Sequence, residues 1–236
     1  MKVLCVIPER GGSKGIPKKN IVDINGKPLI EWSILQAKES GCVDYIHIST
    51  DSPEIAEVSK KAGAECAFLR PDNISGDKIG TGAAIYSSIK GLSELGYEFD
   101  IVLELQPTYC LRGSKMIAEC VSLLKENNKF HSVITCKKID STEHPDYALE
   151  KSNNGFTKFG LKKPDEFVRQ NLRPVYACHG LVLAAKVDNF LEKQSFFIEN
   201  CHSYIVDDVN RLMDINTGED LLFVRMFTSV YPEYLS

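Results

Sequence analysis

The chain has 236 residues, 43% of them hydrophobic and 25% charged, with a formal net charge of −4. That length suits one large domain or a domain with a small appended lobe, and the mildly acidic balance argues against a general nucleic-acid binder, whose field is usually basic. No apolar run approaches the roughly 20 residues of a membrane helix, no secretory-signal pattern precedes the first strand, and the eight cysteines form no Cys-x-x-Cys pair, so the expectation is a cytoplasmic protein with reduced thiols.

In chain order, Val3 to Ile7 is a continuous, mostly β-branched apolar run, the pattern of a strand buried on both faces of a parallel sheet. Pro8 and the paired glycines Gly11 and Gly12 end it. After the turn at Asn25-Gly26-Lys27-Pro28, apolar spacing predicts a helix over Leu29 to Lys38, which Gly41 stops. A strand follows at Tyr45 to Ser49, then a helix over Glu54 to Ala62 opened by Thr50-Asp51-Ser52-Pro53. The alternation continues with a short Ala67-Phe68-Leu69 strand, a helix over Thr81 to Leu95, a strand at Ile101 to Leu105, a helix over Ser114 to Glu126 and a strand at Ser132 to Cys136. Repeated β-α units of this kind predict an α/β fold, a mostly parallel sheet with helices on both faces.

Between 138 and 178 the pattern changes to a polar stretch with a hairpin-like turn at Ser152-Asn153-Asn154-Gly155, read as an inserted β-rich arm that serves as a lid or dimerisation element. Regular elements return with a Leu181 to Ala185 strand, a segment through Phe196 and Phe197, a Tyr204 to Val206 strand and a helix from Thr217 to Phe227. The expected organisation is therefore an α/β domain of residues 1–137 and 179–236 interrupted by the arm.

Chemistry concentrates in the loop after the first strand. Arg10, Lys14, Lys18 and Lys19 place four cations between Arg10 and Asn20 with no acid among them, and the glycines let backbone N–H groups approach an anion. Set at the end of a buried strand, where ligands of open α/β sheets bind, this reads as a polyphosphate site. It is neither a Walker loop nor a dinucleotide fingerprint, since Gly-x-x-x-x-Gly-Lys-Ser/Thr and Gly-x-Gly-x-x-Gly are both absent. Arg10, Lys14 and Lys19 are the expected catalytic cations, Ser13 and the backbone of Gly11 and Gly12 add donors, and Lys18 is read as solvated. Gln106 follows the strongest strand, where a side-chain amide can read a base or a sugar.

The Ile7-to-Asn20 loop, Leu105-Gln106-Pro107-Thr108 with Leu111-Arg112, the Arg70-Pro71 pair, and Asp214 ahead of Glu219-Asp220-Leu221 together resemble the acylneuraminate cytidylyltransferases, the CMP-sialic acid or CMP-nonulosonic acid synthetases. The resemblance implies a Rossmann-like nucleotidyltransferase that transfers CMP from CTP to the anomeric hydroxyl of an acidic nine-carbon sugar with Mg²⁺, releasing pyrophosphate, as a homodimer. It further implies that Asn20, Arg70 and Thr81 contact the nucleotide and that Arg169, Phe196 and Phe197 join Gln106 around the sugar; Arg173, close by in sequence, can help hold a carboxylate or phosphate, and His179, at the sugar side, is read as a donor, a proton carrier or a structural histidine. For the metal the family uses an Asp-x-Asp pair, matched here by Asp214 and Asn216, with Asp207 and Asp208 as nearby acidic alternatives. Three positions depart from the family pattern: Asn216 for the second aspartate, His179 for an asparagine and Leu183 for a tyrosine. They suggest an altered acceptor, such as a legionaminic-type acid. An eight-carbon keto-deoxy acid as acceptor, and a nucleotide-binding relative without catalysis, are the alternatives.

Overall fold

The computed structural model describes residues 1–12, 15–76, 79–151, 157–159, 170 and 172–236, with 157–159 described as backbone. Its centre is a six-stranded sheet built from β1 (Val3–Pro8), β4 (Tyr45–Ser49), β5 (Ile101–Glu104), β6 (Ser132–Lys138), β9 (Tyr176–Lys186) and β10 (Cys201–Ile205). The strand order is β10-β6-β9-β5-β1-β4. β1 runs parallel to both β4 and β5, and β6 runs parallel to β10. β9 alone is antiparallel, to β5 on one side and β6 on the other.

The apolar run of β1 is explained by burial on both faces. Val3, Cys5 and Ile7 pack with Ile30, Ile34 and Ala37 of α1 (Leu29–Glu39), Ile55 of α2 (Pro53–Lys61), and Ile117 and Val121 of α4 (Ser114–Glu126). Leu4 and Val6 face the other way, against Ile85, Ile89 and Leu92 of α3 (Thr81–Glu94) and Phe190 of α5 (Val187–Lys193). Each such buried side chain contributes about 1.5–3 kcal/mol of transfer free energy. The alternation of strands and helices is thus realised as the mostly parallel, two-sided layer that the sequence predicts. A third cluster joins the ribbon β2 (Asp23–Ile24) and β3 (Lys27–Pro28) to α6 (Gly218–Val230), through Ile24, Leu29, Leu221 and Val224.

Local chemistry sets the helix starts. Ser52 Oγ accepts from Ile55 N at 3.4 Å ahead of Pro53, and Thr217 and Asp220 form a reciprocal capping box on α6.

Four elements differ from expectation. Residues 67–69 form no strand: the chain makes one bridge, His47 to Glu65, and then turns so that the Phe68 ring lies against His47 and beneath α3. α5 is an additional helix. β10 begins at Cys201, its polar first residues suiting an edge strand. β9 begins at Tyr176, so the expected boundary between 178 and 179 falls inside a strand. Within the arm, β7 (Leu149–Lys151) and β8 (Thr157–Phe159) pair antiparallel, and the expected turn at 152–155 lies outside the described residues.

Candidate active site

Because β1, β4 and β5 are parallel, their carboxyl ends open on one edge of the sheet, and the described loop residues 9–12 and 15–20 lie across that edge. It is tied down at both ends. Glu9 N donates to Ser49 O at 2.9 Å and Gly11 N to Asp51 Oδ1 at 2.7 Å, which fastens the loop to the end of β4. Further along, Lys19 Nζ donates to Ile215 O at 3.0 Å. A Cβ on Gly15 would stand 2.7 Å from Asn216 O, so only glycine lets the loop approach the 214–216 segment this closely. Residues almost two hundred positions apart are thereby joined: the cationic loop and the segment expected to hold the metal.

Asn20 is buried and its amide donates to Arg10 O at 3.3 Å, while its Oδ1 has no partner. This makes Asn20 a brace of the loop backbone. Arg70 bonds Ser49 through Nε, at 3.2 Å to Oγ, and through Nη2 to the carbonyl. Burial lowers the Arg70 pKa, Asp51 and Glu9 pull it back up, and the nearby Arg10 charge lowers it further. Lys18 pairs with Glu54 at 2.7 Å on the exposed side, a surface ion pair pointing out of the site. Gly12 is exposed with open space around its Cα. Ser13, Lys14 and Arg169 lie outside the described residues.

Glu9, which the sequence reading passed over, stands among these cations. Burial pushes its carboxyl up to about 7, against the opposing pull of Lys19, Asn20 and Arg70. Its proximity to the loop lysine follows from its place directly after β1, a position whose chemistry the basic run had masked.

Beside the loop, a second group gathers around Asp214. Tyr109 lies beside the Asp214 carboxylate, and burial together with that negative charge pushes the phenol up to about 12. His179 lies edge-on to Tyr109, ring centres 6.3 Å apart. Burial first, then the charge of Lys137, holds the His179 pKa below the usual range, with Asp214 opposing. A register shift between Ile134 and Cys136 sets this part of β9. There the single Thr135 hydroxyl proton is shared between the His179 and Val182 carbonyls, and Oγ1 accepts from Val182 N at 3.2 Å, replacing the ladder bonds that the bulge removes.

Gly180 comes next, and a Cβ there would meet the Gln106 amide at 2.9–3.0 Å, so the amide lies flat against bare backbone. Gln106 Nε2 donates to Glu104 Oε1 at 3.0 Å, and Thr81 Oγ1 donates to Glu104 Oε2 at 3.0 Å. The fully buried Arg112 closes the turn below, bonding the Gln106 and Tyr109 carbonyls and Ser33 Oγ.

Asp214 fits a cation. Among the described residues its Oδ1 is buried without a partner, an orphaned acceptor of the kind a metal satisfies, while Oδ2 accepts from Asn216 Nδ2 at 2.8 Å. Asn216 therefore meets Asp214 as a hydrogen-bond donor, with its amide nitrogen turned inward, rather than as a parallel second ligand. Among the described residues, no three His, Cys, Asp or Glu side chains converge as a metal cluster. Asp207 and Asp208 sit elsewhere, beside Arg211 and the start of α4.

The expected sugar residues separate. His179 and Gln106 come together, Gln106 lying against Gly180, the residue after His179. Phe196 does not join them: it is 4% exposed and packs on Phe190 at 4.8 Å in the core, because the pair turns one ring inward and leaves Phe197 63% exposed. Arg173 lies in the arm, where it pairs with Asp146 at 3.7 Å and its carbonyl meets His144 Nε2 at 3.0 Å.

A mostly parallel α/β sheet with a cationic loop at its carboxyl edge and a carboxylate stapled to that loop defines a nucleotidyltransferase-type enzyme. The cytidylyltransferase family profile matches residues 4–157. The chain is 30% identical over 239 residues to a CMP-N,N'-diacetyllegionaminic acid synthase of Legionella pneumophila, covering 100% of both. It is 32% identical over 238 residues to a pseudaminic acid cytidylyltransferase of Campylobacter jejuni, covering 99% of each. A solved CMP:2-keto-3-deoxy-manno-octonic acid synthetase complexed with CTP shares the fold, with a TM-score of 0.74 over 98% of this chain and all of the other, at 17% identity. The chain belongs to the cytidylyltransferase family, and is a CTP-dependent nucleotidyltransferase.

Proposed function

We propose that this enzyme transfers CMP from CTP to the anomeric hydroxyl of a nonulosonic acid of the sialic or legionaminic type, releasing pyrophosphate. The observation that supports the acceptor is similarity, over 99–100% of both chains, to two relatives named for legionaminic and pseudaminic acids. In this reading the anomeric oxygen attacks the α-phosphorus, the bond from that phosphorus to the bridging oxygen breaks, and pyrophosphate leaves with the electron pair. Arg10, Lys14 and Lys19 neutralise the triphosphate, and Arg70 and Asn20 shape its seat. His179, kept uncharged at neutral pH beside Asp214, takes the hydroxyl proton.

Mg²⁺ is part of the proposal. Asp214 would hold it and Asn216 would orient Asp214, and the ion would neutralise charge on the phosphates. A homodimer belongs to the same reading, supported by the exposed apolar side chains Leu149 and Tyr176 at the arm, and light scattering in solution reads it directly.

The deciding experiment supplies CTP, Mg²⁺ and a panel of acidic sugars, and measures pyrophosphate release. Turnover is expected with an N-acylated nine-carbon acid. Turnover confined to an eight-carbon keto-deoxy acid would replace the acceptor, and tight CTP binding with no turnover of any acid sugar would favour a non-catalytic relative.

A further inference from the structure

Glu104 is an anomaly in its strand. β5 reads Ile101-Val102-Leu103-Glu104, and alternation puts Glu104 on the same face as Val102, over the apolar cluster of Leu4, Val6 and Leu183. Its register neighbours are Val6 on β1 and Leu183 on β9, and it is 0% exposed. A leucine would pack at such a position without cost, whereas a buried carboxylate must be compensated. Among the described residues no ion pair to Glu104 occurs within contact distance. Compensation comes instead from the two hydrogen bonds already described, one to each oxygen.

Those two bonds have a consequence for the pocket. An ionised carboxylate accepts and cannot donate. The Thr81 hydroxyl has one proton, and it is committed to Glu104, so the exposed Thr81 oxygen meets a ligand through its lone pairs. The Gln106 amide is held flat on Gly180 with Nε2 toward Glu104, which directs Oε1 away from the carboxylate. Without Glu104 both groups could turn over and donate. Burial raises the Glu104 pKa, and the Gln106 and Thr81 bonds and the Arg112 charge oppose that rise without reversing it; in the arrangement seen, both carboxyl oxygens accept.

We propose that Glu104 sets the hydrogen-bond polarity of the substrate pocket, fixing Thr81 and Gln106 as acceptors that select a ligand group carrying N–H donors. Glu104 is a positioning residue: it acts through its two partners and need not touch substrate. The donor comes from one of two sources, the exocyclic amino group of cytosine, which uracil lacks, or an amide N–H on the acceptor sugar. The second source rests on the nonulosonate reading above, and the first does not.

The test is Glu104→Gln, a neutral isostere whose amide both donates and accepts. One arm measures CTP and UTP affinity by calorimetry without any acceptor. The other compares pyrophosphate release for an N-acetyl acid sugar and its O-acetyl analogue, in which an ester oxygen replaces the amide N–H. At least one of these preferences is expected to fall by about tenfold, the effect of leaving one polar group mispaired. A merely structural role would change stability and leave both ratios alone, and unchanged ratios in folded Glu104→Gln would overturn the proposal. If that variant does not fold, Thr81→Val and Gln106→Met, which keep Glu104, pass through the same arms, and unchanged ratios in both overturn it equally. Should the wild-type enzyme turn over no acid sugar, the acceptor reading fails by itself and the nucleotide arm decides.

Discussion

Arg70 and Arg173 carry the same guanidinium into different surroundings. Arg70 is fastened to Ser49 at the end of β4, with its own backbone N–H on Thr50 O at 2.7 Å, so the core strands fix its position. Arg173 has a side chain 64% exposed and is paired with Asp146 of the arm. The difference extends to their neighbourhoods: Asn20, Lys19 and Glu9 are held by backbone carbonyls of the loop itself, of the 214–216 segment and of β4, whereas Arg173 meets its arm partners through a surface ion pair to Asp146 and a backbone carbonyl bonded to His144. Preorganised cations suit a triphosphate whose shape never varies. A peripheral set suits an acceptor that differs between relatives.

Removing the staple between the two chain segments gives the largest expected effect. Lys19→Ala should lower pyrophosphate release at least about a hundredfold, the range for losing one preorganised charge-stabilising group, with the thermal melt nearly unmoved because Lys19 bonds a single carbonyl. Turnover within a few-fold of wild type would mean that the rigid half is not where charge is stabilised.

Asp214→Asn comes next. It removes the negative charge but keeps the shape, and a tenfold-range rise in the Mg²⁺ concentration needed for half-maximal activity is expected. Calorimetric Mg²⁺ binding in the presence of CTP should weaken in parallel. An unchanged titration would move the metal to another carboxylate.

The smallest effect is on stability and isolates Glu9. Its folded pKa of about 7 lies above the ordinary 4.5, so between those values the folded state holds a proton that the unfolded state has lost. Stability from this group therefore falls as pH rises through that window and levels off above it. Glu9→Gln removes the dependence, and should be more stable than wild type at pH 8 by on the order of 1–2 kcal/mol. Denaturant unfolding near pH 4.5 should show the gap closed; an equal gap at both pH values would place Glu9 in water.

Much of this was legible in residue order, and the failures have physical causes. β1 announced double-sided burial by lacking alternation, and α3 and α4 by periodic apolar positions that their packing confirms. α5 has seven residues, too few for a period to declare itself. The Phe196-Phe197 pair was visible, but two identical rings cannot say which turns inward. Glu104 did leave a signal, a lone acid in an apolar strand. Tyr109 left none, because its importance depends on Asp214, more than a hundred residues away, arriving beside it.

Among the described strands of the central sheet, β9 is the one that runs against its neighbours. Its first residues, Tyr176 to Gly180, consequently arrive at the edge where the parallel strands finish, and its remainder, Leu181 to Ala185, is core. The polypeptide leaves the arm and enters the pocket without first crossing the hydrophobic interior. Such an arrangement is modular: the stretch upstream of Gly180 can be revised while the buried half of the strand downstream keeps its register against Ser132 to Ile134.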